Sequence, residues 1–396
     1  MKKITVFVST IAILSIVLSL CGCTKITSNT SVYSENIEQI TNITDNQPDL
    51  SSEILIEDTE INIKLEEAKT FPTNCKIYYQ KKKIFTEQQL IALFDENPQR
   101  TDRSTYDWVE YITENQRGTV NNENSLTFYS QEGNLYDSVY FYYSENPSED
   151  TKLYTSQDGE LDFASREDIL EKVNAYMNES FGITPDEWEP MHFCAVKKTG
   201  VDYYKNLITQ KSNEGISDSN NIEQEKAKQQ AEAINKLPSK DFYYIKLRFT
   251  IDNIPTYWGN VFNYGADTAY SVLGPQGYLV CTEKGVEYIA LYFVNEMDTL
   301  VPPEEVDVIG SDKALELIMQ KYNDIIVEGE IEICDIYLIY LPMPKNDLDN
   351  YYQHFEARPF YAFECKQTIS CNDGVRTFDY ISYIDAVTGK DLGVEH

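Results

Sequence analysis

A chain of 396 residues can bury substantial cores without covalent staples. It carries 33 Lys and Arg against 65 Asp and Glu, a formal net charge of −32. That excess repels phosphate backbones and anionic lipid faces, so nucleic acid is excluded as an expected partner.

The chain opens on Met1-Lys2-Lys3, then an apolar run from Ile4 to Leu20 broken only by Thr and Ser. A basic start, an apolar stretch and a small residue at the cut predict a secretory signal over residues 1–22. Leu20-Cys21-Gly22-Cys23 resembles the lipobox of bacterial lipoproteins, with Leu20 at −3 and Gly22 at −1 from Cys23. Lipidation is therefore expected at Cys23. Cys21 in that role would put bulky Leu20 at the cleavage position. Two fatty chains on one Cys suffice for stable anchoring, which predicts an extracytoplasmic, membrane-bound protein.

Residues 23–70 are expected to be a disordered acidic tether. From Thr24 to Thr70 there are ten Asp or Glu, three Lys, one aromatic (Tyr33) and no Gly. Such a stretch buries too little apolar surface to offset its ordering entropy. A short strand is expected within "EILIEDTEINIKL". Folded sequence begins near Phe71 with the alternating "CKIYYQKKKIF". A helix comes after it in "TEQQLIALFDENP", capped by Thr86, with Leu90, Leu93 and Phe94 on one face and Pro98 closing it.

An internal repeat comes next. Residues 127–143 read as a hairpin turning at Glu132-Gly133-Asn134, and residues 278–294 as another turning at Glu283-Lys284-Gly285. Each leads to a helix, over 160–182 and 305–327. There Val173 matches Ile318 and Met177 matches Tyr322 at helical spacing. Ser165 with Asp168 forms a capping box at the first helix, and Ser311 caps the second. Each helix leads into two more strand patterns. The polar stretch 206–240 reads as a solvated helix protruding from the body, or as a loop excursion. The expected fold is α+β: two tandem antiparallel β-β-α-β-β units, 71–262 and 263–396, each with one helix on a sheet face. The 30 tyrosines fit half-buried strands.

A search for chemistry finds little. The histidines are His192, His354 and His396, and no zinc-protease, nucleophile-elbow, Walker or dinucleotide motif occurs. His192 and Cys194 share a strand face, so a Cys–His dyad is conceivable. A core-edge His beside a buried thiol is the preferred reading. Beyond the signal stand Cys75, Cys194, Cys281, Cys334, Cys365 and Cys371. They read as buried free thiols, with disulfide pairing left open. Asp158–Asp162 and Asp347–Asn350 lack the spacing of a calcium loop. No catalytic residue, metal or cofactor is expected. In "FTIDNIPTYWGN", residues 249–260, Asp252-Asn253 supplies a turn and Pro255 confines the next residues to an edge or loop. Tyr257 and Trp258 are then a possible contact surface, or a plug folded over the sheet end.

The turn ending in "IP", the helix beginning "SDKAL" and the closing "YIDAVTGKDL" resemble PepSY-like domains over roughly residues 120–396. The tandem arrangement resembles two-domain extracytoplasmic regulators of a cell-wall sensor kinase in Firmicutes, and clostridial lipoproteins of unknown function. Those regulators carry a membrane helix where this chain has a lipobox, and Asn253 stands where PepSY turns usually have Gly. The resemblance implies inhibitory or regulatory binding without catalytic residues. The expectation is thus a non-enzymatic surface lipoprotein binding or regulating a protein partner in the cell envelope. The alternative is a solute- or glycan-binding lipoprotein, with an envelope hydrolase behind it.

Overall fold

In the computed structural model, the residues described are 61–63, 69–105, 107–121, 124–147, 152–157, 159–214, 221–259, 262–264, 270–324, 329–344, 354–371 and 374–395. The expected signal, Cys23, most of the tether, Asp158 and residues 347–350 lie outside them.

In chain order the strands are β1 (Ile61–Ile63), β2 (Asn74–Lys82), β3 (Gln99–Arg100), β4 (Trp108–Ile112), β5 (Gln116–Asn121), β6 (Ser125–Ser130) and β7 (Thr155–Ser156). They continue with β8 (Trp188–Val196), β9 (Phe242–Ile251), β10 (Ile254–Pro255), β11 (Phe262–Tyr264), β12 (Tyr270–Val272), β13 (Gln276–Thr282) and β14 (Gly285–Tyr292). The last are β15 (Asn295–Met297), β16 (Glu304–Asp307), β17 (Glu330–Pro344), β18 (His354–Cys371), β19 (Gly374–Asp385) and β20 (Asp391–Glu395). The helices are α1 (Glu87–Ile91), α2 (Gln131–Glu145), α3 (Arg166–Phe181), α4 (Lys198–Glu214), α5 (Asn221–Lys236) and α6 (Ser311–Asp324).

The fold is α+β, built on two large sheets that are antiparallel except where β1 joins β17 in parallel. The first runs β3-β4-β5-β6-β14-β13-β9-β8-β7, with β10 folded onto β9. The second runs β1-β17-β18-β19-β20, with β2 bridging β18, β15 and β16. Helix α3 forms as expected. Ser165 and Asp168 make the capping box, and Gly182 closes the helix at φ 63°. Ile169, Val173, Met177 and Phe181 recur every four residues and bury against Tyr243, Ile245, Leu247 and Leu279 of the first sheet. Ala314, Leu315, Ile318 and Tyr322 of α6 do the same against Ile331, Ile333, Tyr361 and Phe363 of the second.

The expected hairpin over 127–143 is corrected: the chain leaves β6 at Ser130 and becomes helix α2. Ser130 caps it by accepting the N–H of Gly133. Leu135, Tyr136, Val139, Tyr140 and Tyr143 then fall on one helical face and bury against the sheet. Gly133 is no turn residue. A Cβ there would run into the backbone carbonyl of Glu287 on β14, so its place in the first helical turn depends on having none. Gly285 turns the β13–β14 hairpin at φ 118°, as expected. The two glycines thus do different work, and the match between the two stretches is one of pattern only. Helices α2, α4 and α5 cover the face of the first sheet opposite α3. That sheet therefore carries helices on both faces, not on one.

The sheets also exchange strands across the expected boundary at 262/263. The β13–β14 hairpin inserts between β6 and β9 of the first sheet, while β2 joins the second. The described residues accordingly gather in one compact unit. The described parts of 206–240 do not protrude. Helices α4 and α5 pack as a pair, Val201 and Ala231 are buried, and Lys205 donates to the carbonyl of Leu237 and to Ser239 Oγ. At the C-terminal end, Asp385 accepts the N–H groups of Val387 and Thr388, and Gly389 takes φ 72°, closing the turn between β19 and β20.

Candidate functional site

Along β9 the odd residues Tyr243, Ile245, Leu247 and Phe249 face α3. The even residues Phe242, Tyr244, Lys246 and Arg248 therefore line the opposite face. Helix α2 covers the Phe242 and Tyr244 end: Tyr136 stacks on Phe242 at 4.9 Å and Tyr140 on Tyr244 at 3.6 Å between centroids. Beyond that lid the face carries His192, Lys246 and Tyr278, three cross-strand neighbours in one row. The structure assembles an aromatic surface there.

A strap from the first sheet to the second completes it. Asp252 and Asn253 hold φ values of 50° and 62° and turn β9 into β10, as expected. The strap then splits the Tyr257-Trp258 pair. Tyr257 is 1% exposed. It packs among Ile339, Leu341, Phe360 and Tyr383 of the second sheet, and its N–H donates to the carbonyl of Tyr340. Gly274 lies so close to the carbonyl of Tyr257 that a Cβ would collide with it. This corrects Tyr257 as a contact surface in favour of the other expectation, a plug. Trp258 turns the other way and stays half-buried. Its Nε1 donates to Leu247 O at 3.0 Å, and its ring meets Tyr278 edge-on at 5.9 Å.

Tyr292 extends the surface, 6.1 Å from Tyr278. Its neighbour Phe293 holds φ 56°, a region aromatic residues rarely occupy. The bend is held by Phe293 N–H on Ser125 Oγ and by Asn124 Nδ2 on Val294 O. Lys246 Nζ stands 5.7 Å from the ring of Tyr140 and 5.6 Å from that of Trp258, within cation–π range of both. Burial pulls its pKa down. Burial, then the nearby charges of Lys246 and Arg166, also lower that of His192, leaving the imidazole neutral at pH 7. His192 Nε2 is buried and has no hydrogen-bond partner.

The Cys–His pairing gains no chemistry from this arrangement. Burial pushes the Cys194 thiol up to about 11, so it stays protonated at neutral pH, and its Sγ lies against Ala195 O. Cys75, Cys281 and Cys365 are likewise buried free thiols, and Cys334 is free and partly exposed. Among the described residues no His, Cys, Asp and Glu cluster has the makings of a metal site.

Asp137 enters the same face from α2, with the Tyr244 hydroxyl 3.3 Å away. Burial raises its carboxyl from 3.8 to about 6. The fold thus holds the proton more tightly than the unfolded chain does. Ionisation weakens the fold as pH rises from about 4 to about 6, and the whole penalty stands above that. Two pH units correspond to about 3 kcal/mol, and partial solvent access reduces the figure. Asp137→Asn is expected to stabilise the protein by about 1–3 kcal/mol at pH 7.5 and negligibly at pH 4. Urea melts at the two pH values check this, and a gain of equal size at both would contradict it.

Neither a protein-family model nor a curated protein matches the chain. Among solved structures it is similar to the crystal structure of an uncharacterized protein from Eubacterium rectale ATCC 33656. The TM-score is 0.56 at 15% sequence identity, covering 87% of this chain and 94% of that one. At that identity the likeness shows the fold. No described helix is long and apolar enough to cross a membrane.

Proposed function

We propose that this protein is an extracytoplasmic lipoprotein, anchored in a membrane through lipid on Cys23. In this reading its head, two sheet-and-helix halves related by the α3 and α6 patterns, binds and regulates a protein partner in the cell envelope without catalysis. The observation that carries the reading is Leu20-Cys21-Gly22-Cys23, placed directly after an apolar run and before an acidic, glycine-free stretch. The resemblance of "SDKAL" and "YIDAVTGKDL" to PepSY-like domains supports a regulatory role. The aromatic face around Trp258 and Tyr278 supports a binding role and offers rings to a partner's apolar groups.

The same rings favour a second reading, a glycan-binding lipoprotein, because sugar faces also stack on Trp and Tyr. In-cell crosslinking from residues flanking Trp258 separates the two. Recovery of a defined envelope protein is expected. Recovery of wall sugar alone would transfer the assignment to the second reading.

A further inference from the structure

The sheet register gives two neighbouring cations on one face very different surroundings. Arg248 faces Glu189 directly across the β8–β9 ladder, and its Nε donates to Glu189 Oε1 at 2.9 Å. Lys246, two residues earlier on the same face, has His192 opposite it on β8 and Tyr278 opposite it on β13. Neither is an acid. Among the described residues no carboxylate lies within ion-pair distance of its ammonium. The acid whose charge acts on it is Glu145, exposed at the C-terminal end of α2.

The surroundings are those of a half-completed ion site. The walls are aromatic, with the rings of Tyr140 and Trp258 both within 6 Å of the ammonium. A bulge between Pro190 and His192 shifts the register and brings the imidazole beside Lys246. The ring of His192 is 5.5 Å from that of Tyr140, and its Nε2 is buried without a partner. A half-buried cation and an unsatisfied buried nitrogen in one row are each unfavourable alone, and with the imidazole proton on Nε2 one acceptor between them would satisfy both.

We propose that Lys246 and His192 bind a carboxylate carried beside an apolar group, and that the ligand is the C-terminal end of a peptide. The charge fits: one ammonium and one neutral imidazole match a single negative charge. A phosphate dianion would keep an uncompensated charge in a chain already at −32. The rings of Trp258, Tyr278 and Tyr292 supply the surface for the last apolar side chain. This inference rests on the reading of the head as a protein-binding module and names the chemistry of its contact.

Calorimetry on the purified full chain tests it with three probes. These are N-acetyl-alanyl-phenylalanine, its C-terminal amide, and N-acetyl-glutamyl-phenylalanine amide, which moves the carboxylate to a side chain. The free acid is expected to bind, with both amides weaker by about tenfold or more, the range of a charge-assisted hydrogen bond. Lys246→Gln should weaken the free acid to the level of its amide, and Lys246→Arg should restore it. A melting curve confirms that each variant is folded. The site is overturned if acid and amide bind alike, if neither binds, or if Lys246→Gln leaves the acid's affinity unchanged. Equal binding of the glutamyl probe overturns the chain-end assignment. The two readings fail separately: loss of any crosslinked envelope partner with carboxylate-dependent binding intact removes the envelope role and leaves this site standing.

Discussion

Tyr257→Ala should cost about 3–5 kcal/mol of folding stability, the range for truncating a fully buried aromatic residue. Its ring packs in the second sheet's core, 6.1 Å from Tyr383, while its backbone belongs to the strap leaving the first sheet. The neighbouring chain passes too close for the site to collapse easily, since Gly274 already touches the Tyr257 carbonyl. A domain has only about 5–15 kcal/mol in hand, so the variant should be partly unfolded at temperatures the parent withstands. Trp258→Ala is the control. Half-buried and hydrogen-bonded by one N–H, Trp258 should lose clearly less. Denaturant melts of both variants measure the difference. A Tyr257→Ala loss below about 1 kcal/mol would show that the plug does not fasten the two sheets.

Local signals in the sequence translated well where one residue type has one physical use. Ser165 with Asp168 caps a helix, Asp252-Asn253 turns a hairpin, and Gly285 takes positive φ. The apolar periodicity of α3 and α6 likewise points to the faces that are buried. Misreading began where one pattern serves two periods. "NLYDSVYFYY" is rich in strand-favouring tyrosine, yet Leu135, Val139 and Tyr143 are also one helical stripe, and contact with β14 decides in favour of the helix. The exchange of β2 and the β13–β14 hairpin between sheets was illegible, because strand order depends on pairing and no residue announces it. The aromatic face was half legible. Alternation in "FYYIKLRF" puts Lys246 on the face of Tyr244 and Arg248. That Glu189 meets Arg248 while His192 meets Lys246 is set only by the register and the bulge in β8.

The proposed envelope role depends on where the head is held. Membrane fractionation of cells making Cys23→Ala, with metabolic fatty-acid labelling beside the parent chain, tests this directly. The parent should sediment with membranes and carry label. Cys23→Ala should carry none and either leave the membrane fraction or accumulate with its signal uncleaved. A Cys23→Ala protein that is processed, labelled and still membrane-bound would contradict anchoring through Cys23.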